Sequence, residues 1–232
     1  MSVIKHYTDK LAINRLLKAL NTVVAGKRVA ITGPGKSIIG ANRGNLIESY
    51  DVVVRLNHQW PIEEKLRVDL GKRMDILFHC ANGDYPMAHL FVEDLTKTKL
   101  VLCEENPRKH SAAKQLFKEC RKRKIKFSST SAAMQILRGE VETFPNTGTF
   151  ALWLLLQTKL SELFVTGISF FSEPYYQGYL GHGADPSFWK DQSPPEQIWL
   201  HEMAKQRAFA KRFLGDTRFH PDAILKEALV SA

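Results

Sequence analysis

The 232-residue chain carries 33 Lys and Arg against 24 Asp and Glu, a formal net charge of +9 and a pI near 9.5. With 44% hydrophobic and 25% charged residues it has the composition of a folded globular protein rather than a disordered one, and its length suits one large domain over residues 1–232. No apolar run approaches the roughly 20 residues of a membrane-spanning helix, and the opening MSVIKHYTDK lacks the apolar core of a secretion signal. Three cysteines, Cys80, Cys103 and Cys120, are scattered without a CxxC pair, which predicts reduced thiols in a cytoplasm and neither a disulfide framework nor a zinc knuckle. The basic balance favours anionic partners: nucleotides, nucleic acid, acidic glycans or an anionic membrane face. It does not choose among them.

In chain order, residues 8–23 place apolar side chains at helical spacing, and a short strand over 28–32 follows. A glycine loop leads to a helix near 41–49. Asp51-Val-Val-Val-Arg55, Met74-Asp-Ile-Leu-Phe78 and Lys99-Leu-Val-Leu-Cys103 read as buried strands. Helices are expected over 109–122 and 131–138, with a strand at 124–127 between them. Residues 147–156 form an apolar helix with Asn146 or Thr147 as its N-cap, and 163–166 a further strand. Gly, Pro and aromatic residues crowd 172–195, and helices near 196–213 and 221–229 close the chain. Strands separated by helices predict an α/β protein: a mostly parallel twisted sheet with helices on both faces, Rossmann-like, with ligands held past the carboxyl ends of the strands.

The stretch ITGPGKS at 31–37 resembles half a phosphate-binding loop. It fails the P-loop pattern, because the first glycine of Gly-x4-Gly-Lys-Ser falls on Ala30. It fails the dinucleotide pattern too, because the third glycine falls on Ile38. Alone, the stretch implies a tight turn between a strand and a helix whose backbone is able to approach an anion.

The wider stretch VAITGPGKSIIGANRGNLIESYDVVVRLN, residues 29–57, resembles the large motif of the eukaryotic-type sialyltransferases, glycosyltransferase family 29: an apolar strand, a glycine turn, and a strand ending Arg-x-Asn, here Arg55-Leu56-Asn57. Asp69-Leu-Gly71-Lys-Arg73 resembles the family segment that follows. Pro145-Asn-Thr147-Gly148, an apolar helix and Leu163-Phe-Val-Thr-Gly167 resemble the small motif. His182 and His201 lie where the third and last motifs each supply a histidine, so the resemblance spans about residues 28–206. The chain departs from the family at Pro34, where a polar Asn is usual, and at Gln206, where Glu is usual. It has no cysteine at the two positions the family joins by a disulfide, and Gly183-Ala184-Asp185 rather than aromatics follow His182.

The resemblance implies a GT-A-like sialyltransferase variant of bacterial or viral style. Such an enzyme transfers a 2-keto-3-deoxy acid sugar, sialic acid or Kdo, from its CMP ester with inversion and without a metal or further cofactor. The absence of an Asp-x-Asp clamp fits a monophosphate leaving group. His201 is assigned as the base that takes the acceptor proton, and His182 as the group that steadies the departing CMP phosphate. Gly33, Gly35, Lys36, Asn57, Thr147 and Gly148 are expected around the nucleotide, the last two through the N–H groups that open their helix. The acceptor is expected to be a glycan or a lipid-linked saccharide such as a lipopolysaccharide core, with peripheral contact to an anionic face of the inner membrane. Two other readings stand beside this one: a nucleotide-binding module that has kept the fold and lost the chemistry, and nucleic-acid binding through the positive charge. The basic run Arg121–Lys126 lacks the aromatic interleaving of a nucleic-acid site, so no nucleic-acid partner is expected.

Overall fold

The computed structural model describes residues 3–81, 97–177, 179 and 202–231. Among these residues the chain forms one seven-stranded sheet, parallel at every pairing. The strands are β1 (Arg28–Thr32), β2 (Val52–Leu56), β3 (Ile76–His79), β4 (Leu100–Cys103), β5 (Lys126–Ser129), β6 (Glu162–Thr166) and β7 (Phe219–Pro221). The helices are α1 (Val3–Val24), α2 (Gly44–Glu48), α3 (Arg67–Leu70), α4 (Ser111–Lys122), α5 (Ser131–Val141), α6 (Thr147–Leu156), α7 (Met203–Lys211) and α8 (Ala223–Val230). The spatial order of the strands is β5-β4-β3-β2-β1-β6-β7.

Alternation along the strands divides the core into two faces. Val29, Ile31, Val52, Val54, Ile76, Phe78, Leu100 and Leu102 belong to one cluster with α1, α5, α6, α7 and α8. The intervening residues face the other way: Ala30 and Val53 join Ile47 at α2, while Leu77, Val101 and Cys103 join Ala113, Leu116 and Cys120 of α4. Helix α6 is apolar around its whole circumference after Thr149 and is buried throughout that stretch, so it crosses the middle of the protein rather than its surface.

Two elements escaped the sequence reading. Strand β7 is three residues long, contains Pro221 and sits at a sheet edge, the place where a strand tolerates proline. Helix α3 is a single four-residue turn without usable periodicity. The second of the closing helices begins at Ala223 rather than 221, because the Asp222 carboxylate caps it by accepting the Leu225 N–H at 2.9 Å.

The chain steps outward from β1 to β5, then α5 and α6 carry it back over the sheet to β6, on the opposite side of β1. The order therefore reverses between β1 and β6, where parallel α/β sheets open a crevice at the carboxyl ends. Here the two loops that leave these strands touch. The Gly33 N–H donates to Thr166 O at 2.7 Å, and the Gly35 N–H to Gly167 O at 2.8 Å. A Cβ on Gly33 would lie 2.2 Å from Gly167 O, and one on Gly167, at φ +70°, would lie 2.5 Å from Gly33 O. Backbone on both sides leaves no flexible atom to yield. Gly33→Ala is therefore expected to cost on the order of 3 kcal/mol in urea denaturation. Gly139→Ala, on the exposed face of α5 with nothing within 4 Å, is expected to stabilise by about 0.5 kcal/mol.

Candidate functional site

Past the carboxyl ends of β2, β3 and β4, polar side chains from distant segments converge under the N-terminus of α6. Asn57 follows β2 with φ +48°, a conformation Asn tolerates better than most residues, and its N–H donates to Phe78 O at 2.7 Å. That turn points its amide along the sheet. The Asn57 Oδ1 accepts the Cys80 N–H at 2.9 Å, and its Nδ2 donates to Thr147 Oγ1 at 3.2 Å. Thr147 is also hydrogen-bonded to the Glu104 carboxyl, one residue beyond β4, and Asn57 to the Tyr179 hydroxyl. The result is a relay, Tyr179–Asn57–Thr147–Glu104, drawn from four separate parts of the chain.

The helix end above this relay is held by its own caps. Asn146 Oδ1 accepts the Thr149 N–H at 2.8 Å, and Asn146 O accepts the Phe150 N–H at 3.0 Å. Fully buried Gln206, from α7, fixes the same turn three times: its Oε1 accepts from the Asn146 N–H at 3.0 Å and from Thr149 Oγ1 at 2.7 Å, and its Nε2 donates to Phe144 O at 3.1 Å. Only an amide offers both acceptor and donor here; a carboxylate would face Phe144 O with no proton to give. The departure from Glu at Gln206 thus has a structural reason. Among the described residues the N–H groups of Thr147 and Gly148 donate to no acceptor, as is usual for the first turn of a helix.

Glu104 is the anomalous charge of the cluster. Burial pushes its carboxyl up to about 7 against the pull of the Thr147 hydrogen bond, and its Oε1 is sealed from solvent without a partner among the described residues. Close by, the imidazoles of His58 and His79 meet edge to face at 5.1 Å, and His58 lies 6.4 Å from the Tyr179 ring. Burial likewise raises the Tyr179 phenol well above its ordinary value.

The sequence-expected residues fall into three groups. Asn57, Thr147 and Gly148 meet at the relay. Gly33 and Gly35 lie across Ile168 from it: a Gly33 Cβ would touch Ile168 Cγ1 at 2.6 Å, and a Gly148 Cβ would lie 3.6 Å from Ile168 Cγ2. The open side of Gly35 faces Glu173, whose Oε1 would sit 2.3 Å from a Cβ there. Glu173 fills the turn that a phosphate occupies in a P-loop: its Oε2 accepts the Ser37 N–H and its Oε1 the Ser37 hydroxyl, each at 2.7 Å. The N–H groups of Gly33, Gly35, Lys36, Ser37 and Ile38 are all committed to acceptors of the chain itself. Lys36 is exposed. His182 and His201 lie outside the described residues. Met203, which opens α7, touches the turn before α6 through Asn146 Nδ2 to Sδ at 3.8 Å. Sequence reasoning missed Glu104, Tyr179, His58 and His79, which belong to no short pattern; an acid directly after a buried strand, as in Leu-Val-Leu-Cys-Glu, was the available signal. Among the described residues no group of three or more His, Cys, Asp and Glu is arranged to hold a metal ion.

A fully parallel sheet with helices on both faces and a polar cluster at its carboxyl ends defines an α/β protein of the Rossmann-like class. The fold is, more narrowly, that of the sialyltransferases. A mammalian sialyltransferase superposes with a TM-score of 0.56 at 14% identity, covering 95% of this chain and 85% of that one. A mammalian sialyltransferase in complex with Gal-beta-1-3GalNAc-ortho-nitrophenol gives 0.55 at 14% identity over 90% and 78%. The sialyltransferase CstII from Campylobacter jejuni, in complex with the substrate analogue CMP-3FNeuAc, gives 0.55 at 15% identity over 88% and 85%. No family model matches the chain, and no curated protein matches it in sequence. The likeness is one of fold, and it agrees with the motif resemblance in the sequence.

Two measurements test the site. A carboxyl raised in the folded state favours folding at low pH; the contribution is complete below the ordinary value of 4.5 and is lost as pH rises through about 7. Glu104→Gln removes that titration, so its melting temperature is expected to gain on the wild type between about pH 5 and about pH 8. Gln206→Glu buries an acid against Phe144 O and is expected to cost about 2 kcal/mol near neutral pH, read by chemical denaturation.

Proposed function

We propose that the chain is a glycosyltransferase that moves a 2-keto-3-deoxy acid sugar, sialic acid or the related Kdo, from its CMP ester to a hydroxyl of a glycan or lipid-linked saccharide. The observation that carries the reading is the contact of Asn57 with Thr147, 90 residues apart, beneath the open N-terminus of α6. The ends of the two resembling motifs meet at one point of a sialyltransferase fold. The first-turn N–H groups of Thr147 and Gly148 and the positive end of a ten-residue helix suit an anion, the donor's phosphate or its carboxylate. Asn57 is already shared among Cys80, Thr147 and Tyr179, so it positions the helix end and the loop after β6 as much as it meets a nucleotide.

In the reaction the acceptor hydroxyl attacks the anomeric carbon from the face opposite the phosphate, the bond from that carbon to the phosphate oxygen breaks, and CMP leaves. The hydroxyl proton passes to a base of near-neutral pKa. We assign that base to His201, which stands two residues before Met203, and the steadying of the leaving phosphate to His182. CMP asks less charge neutralisation than a sugar diphosphate, so no metal and no further cofactor are assigned. The three scattered cysteines, none of them in a CxxC pair, and the basic balance favour a cytoplasmic enzyme working beside the inner membrane.

The reading is tested by CMP release from CMP-sialic acid and CMP-Kdo with a panel of glycan acceptors. Wild type is expected to turn over one of the two. His201→Ala is expected to bind CMP normally and to lose at least about 100-fold in rate. Thr147→Val, which keeps the shape and removes the hydroxyl, is expected to weaken CMP binding. Release from neither donor, with CMP still bound, would leave a nucleotide-binding module in place of the enzyme.

A further inference from the structure

We propose that the face formed by α4 and the edge strand β5 docks this protein on an anionic lipid bilayer. The net charge of the chain is concentrated there. Residues 108–126 hold nine of the 33 basic residues and one of the 24 acidic ones, so the rest of the chain is close to neutral. Among the described residues Arg123 is the only one of these nine in an ion pair, and its partner is Glu119, the single acid of the segment. The remaining eight are exposed.

Their arrangement makes a surface rather than a groove. Ala113, Leu116 and Cys120 turn inward from α4 to the sheet, which directs Lys114, Lys118 and Arg121, spaced by four and three residues, along the opposite stripe. Lys124 in the following turn and Lys126 on β5 extend the charge past the helix onto the sheet edge. Phe117 is 39% exposed beside these cations and packs edge to face on Phe127 of β5 at 5.3 Å. An apolar rim set among lysines and arginines fits the interface of a bilayer, where an aromatic edge enters the headgroup layer and cations meet lipid phosphates. A nucleic acid would ask for a channel that follows one backbone, with separate ring faces for bases. The face starts at Arg108, four residues beyond Glu104 at the carboxyl end of β4, and runs along α4 to Lys126 at the amino end of β5, so a bilayer against it lies along the flank of the sheet and reaches the relay end only at its start. Docking stands without the transferase assignment; only its use in meeting a lipid-linked acceptor rests on that reading.

The test is co-sedimentation of the full chain with phosphatidylcholine vesicles, with and without a substantial fraction of phosphatidylglycerol. Binding is expected to the anionic vesicles alone and to weaken as salt shortens the reach of surface charge. The variant Lys114→Glu/Lys118→Glu/Arg121→Glu, exposed positions whose change leaves the fold measurable by its melting curve, is expected to lose at least about tenfold in partitioning. Arg15→Glu/Lys18→Glu/Lys226→Glu changes the net charge equally away from this face and is expected to bind as wild type. Equal binding to neutral vesicles, an equal loss in the second variant, or a stronger preference for a short DNA duplex than for anionic vesicles would each overturn the proposal. CMP release with a soluble acceptor is measured in parallel. Vesicle binding without turnover would sink the transferase reading alone, and turnover without vesicle binding the docking alone.

Discussion

A buried positive charge holds the centre of this sheet together. The Arg55 side chain is fully buried, with its Nε on Arg73 O at 2.9 Å, one Nη on Thr32 Oγ1 at 2.9 Å and the other on Leu70 O at 2.6 Å. Burial lowers its pKa to about 10, which still leaves it charged at neutral pH. A guanidinium in the interior is tolerable only when its protons are met, and here carbonyls and a hydroxyl meet them, with no carboxylate in direct contact among the described residues. The Thr32 hydroxyl passes the network on to Gln59 Oε1 at 3.1 Å, and Gln59 Nε2 donates to Gly33 O at 2.8 Å. One side chain thus sets the ends of β1 and β2 and the turn into β3, and with them Asn57, two residues further along.

The same logic of internal satisfaction explains the loop after β1. Its glycines let backbone cross backbone at Gly33 and Gly167, and the anion it holds is Glu173. On the other side of the reversal Asp222 completes the tie, accepting from Arg43 Nη1 and Thr166 Oγ1 at 2.8 Å each and from the Gly167 N–H at 3.2 Å. A crevice expected from topology alone is therefore occupied in part by the chain's own polar groups, and among the described residues the N–H groups at the first turn of α6, to one side, donate to no acceptor.

Much of the fold was legible because the strands are continuous β-branched or leucine-rich runs and the apolar helix α6 opens on a recognisable Asn cap. Val52–Leu56 and Thr147–Leu156 stand where their patterns placed them, within a residue. The order of the strands was not legible, since periodicity says which residues are buried and nothing about which strand lies beside which. For the site, Asn57 and Thr147 were readable as motif ends. Glu104 and Tyr179 were not, because their roles arise from burial against segments far away in sequence. Gln206 looked like a loss by residue type alone, and the three bonds it makes to the turn before α6 show why an amide serves there.

The central position of β1 has a consequence for how the chain is made. One of its edges pairs with β2 as soon as Val52–Leu56 exists, but the other waits for Glu162–Thr166, more than a hundred residues later. A ribosome-bound or truncated chain that stops short of β6 presents an apolar, unpaired strand in the middle of its future sheet, the kind of edge that recruits neighbouring chains. The junction that brings the two resembling motifs together is also the last to be sealed, so during synthesis this protein depends on its own C-terminal third to protect its first strand from aggregation.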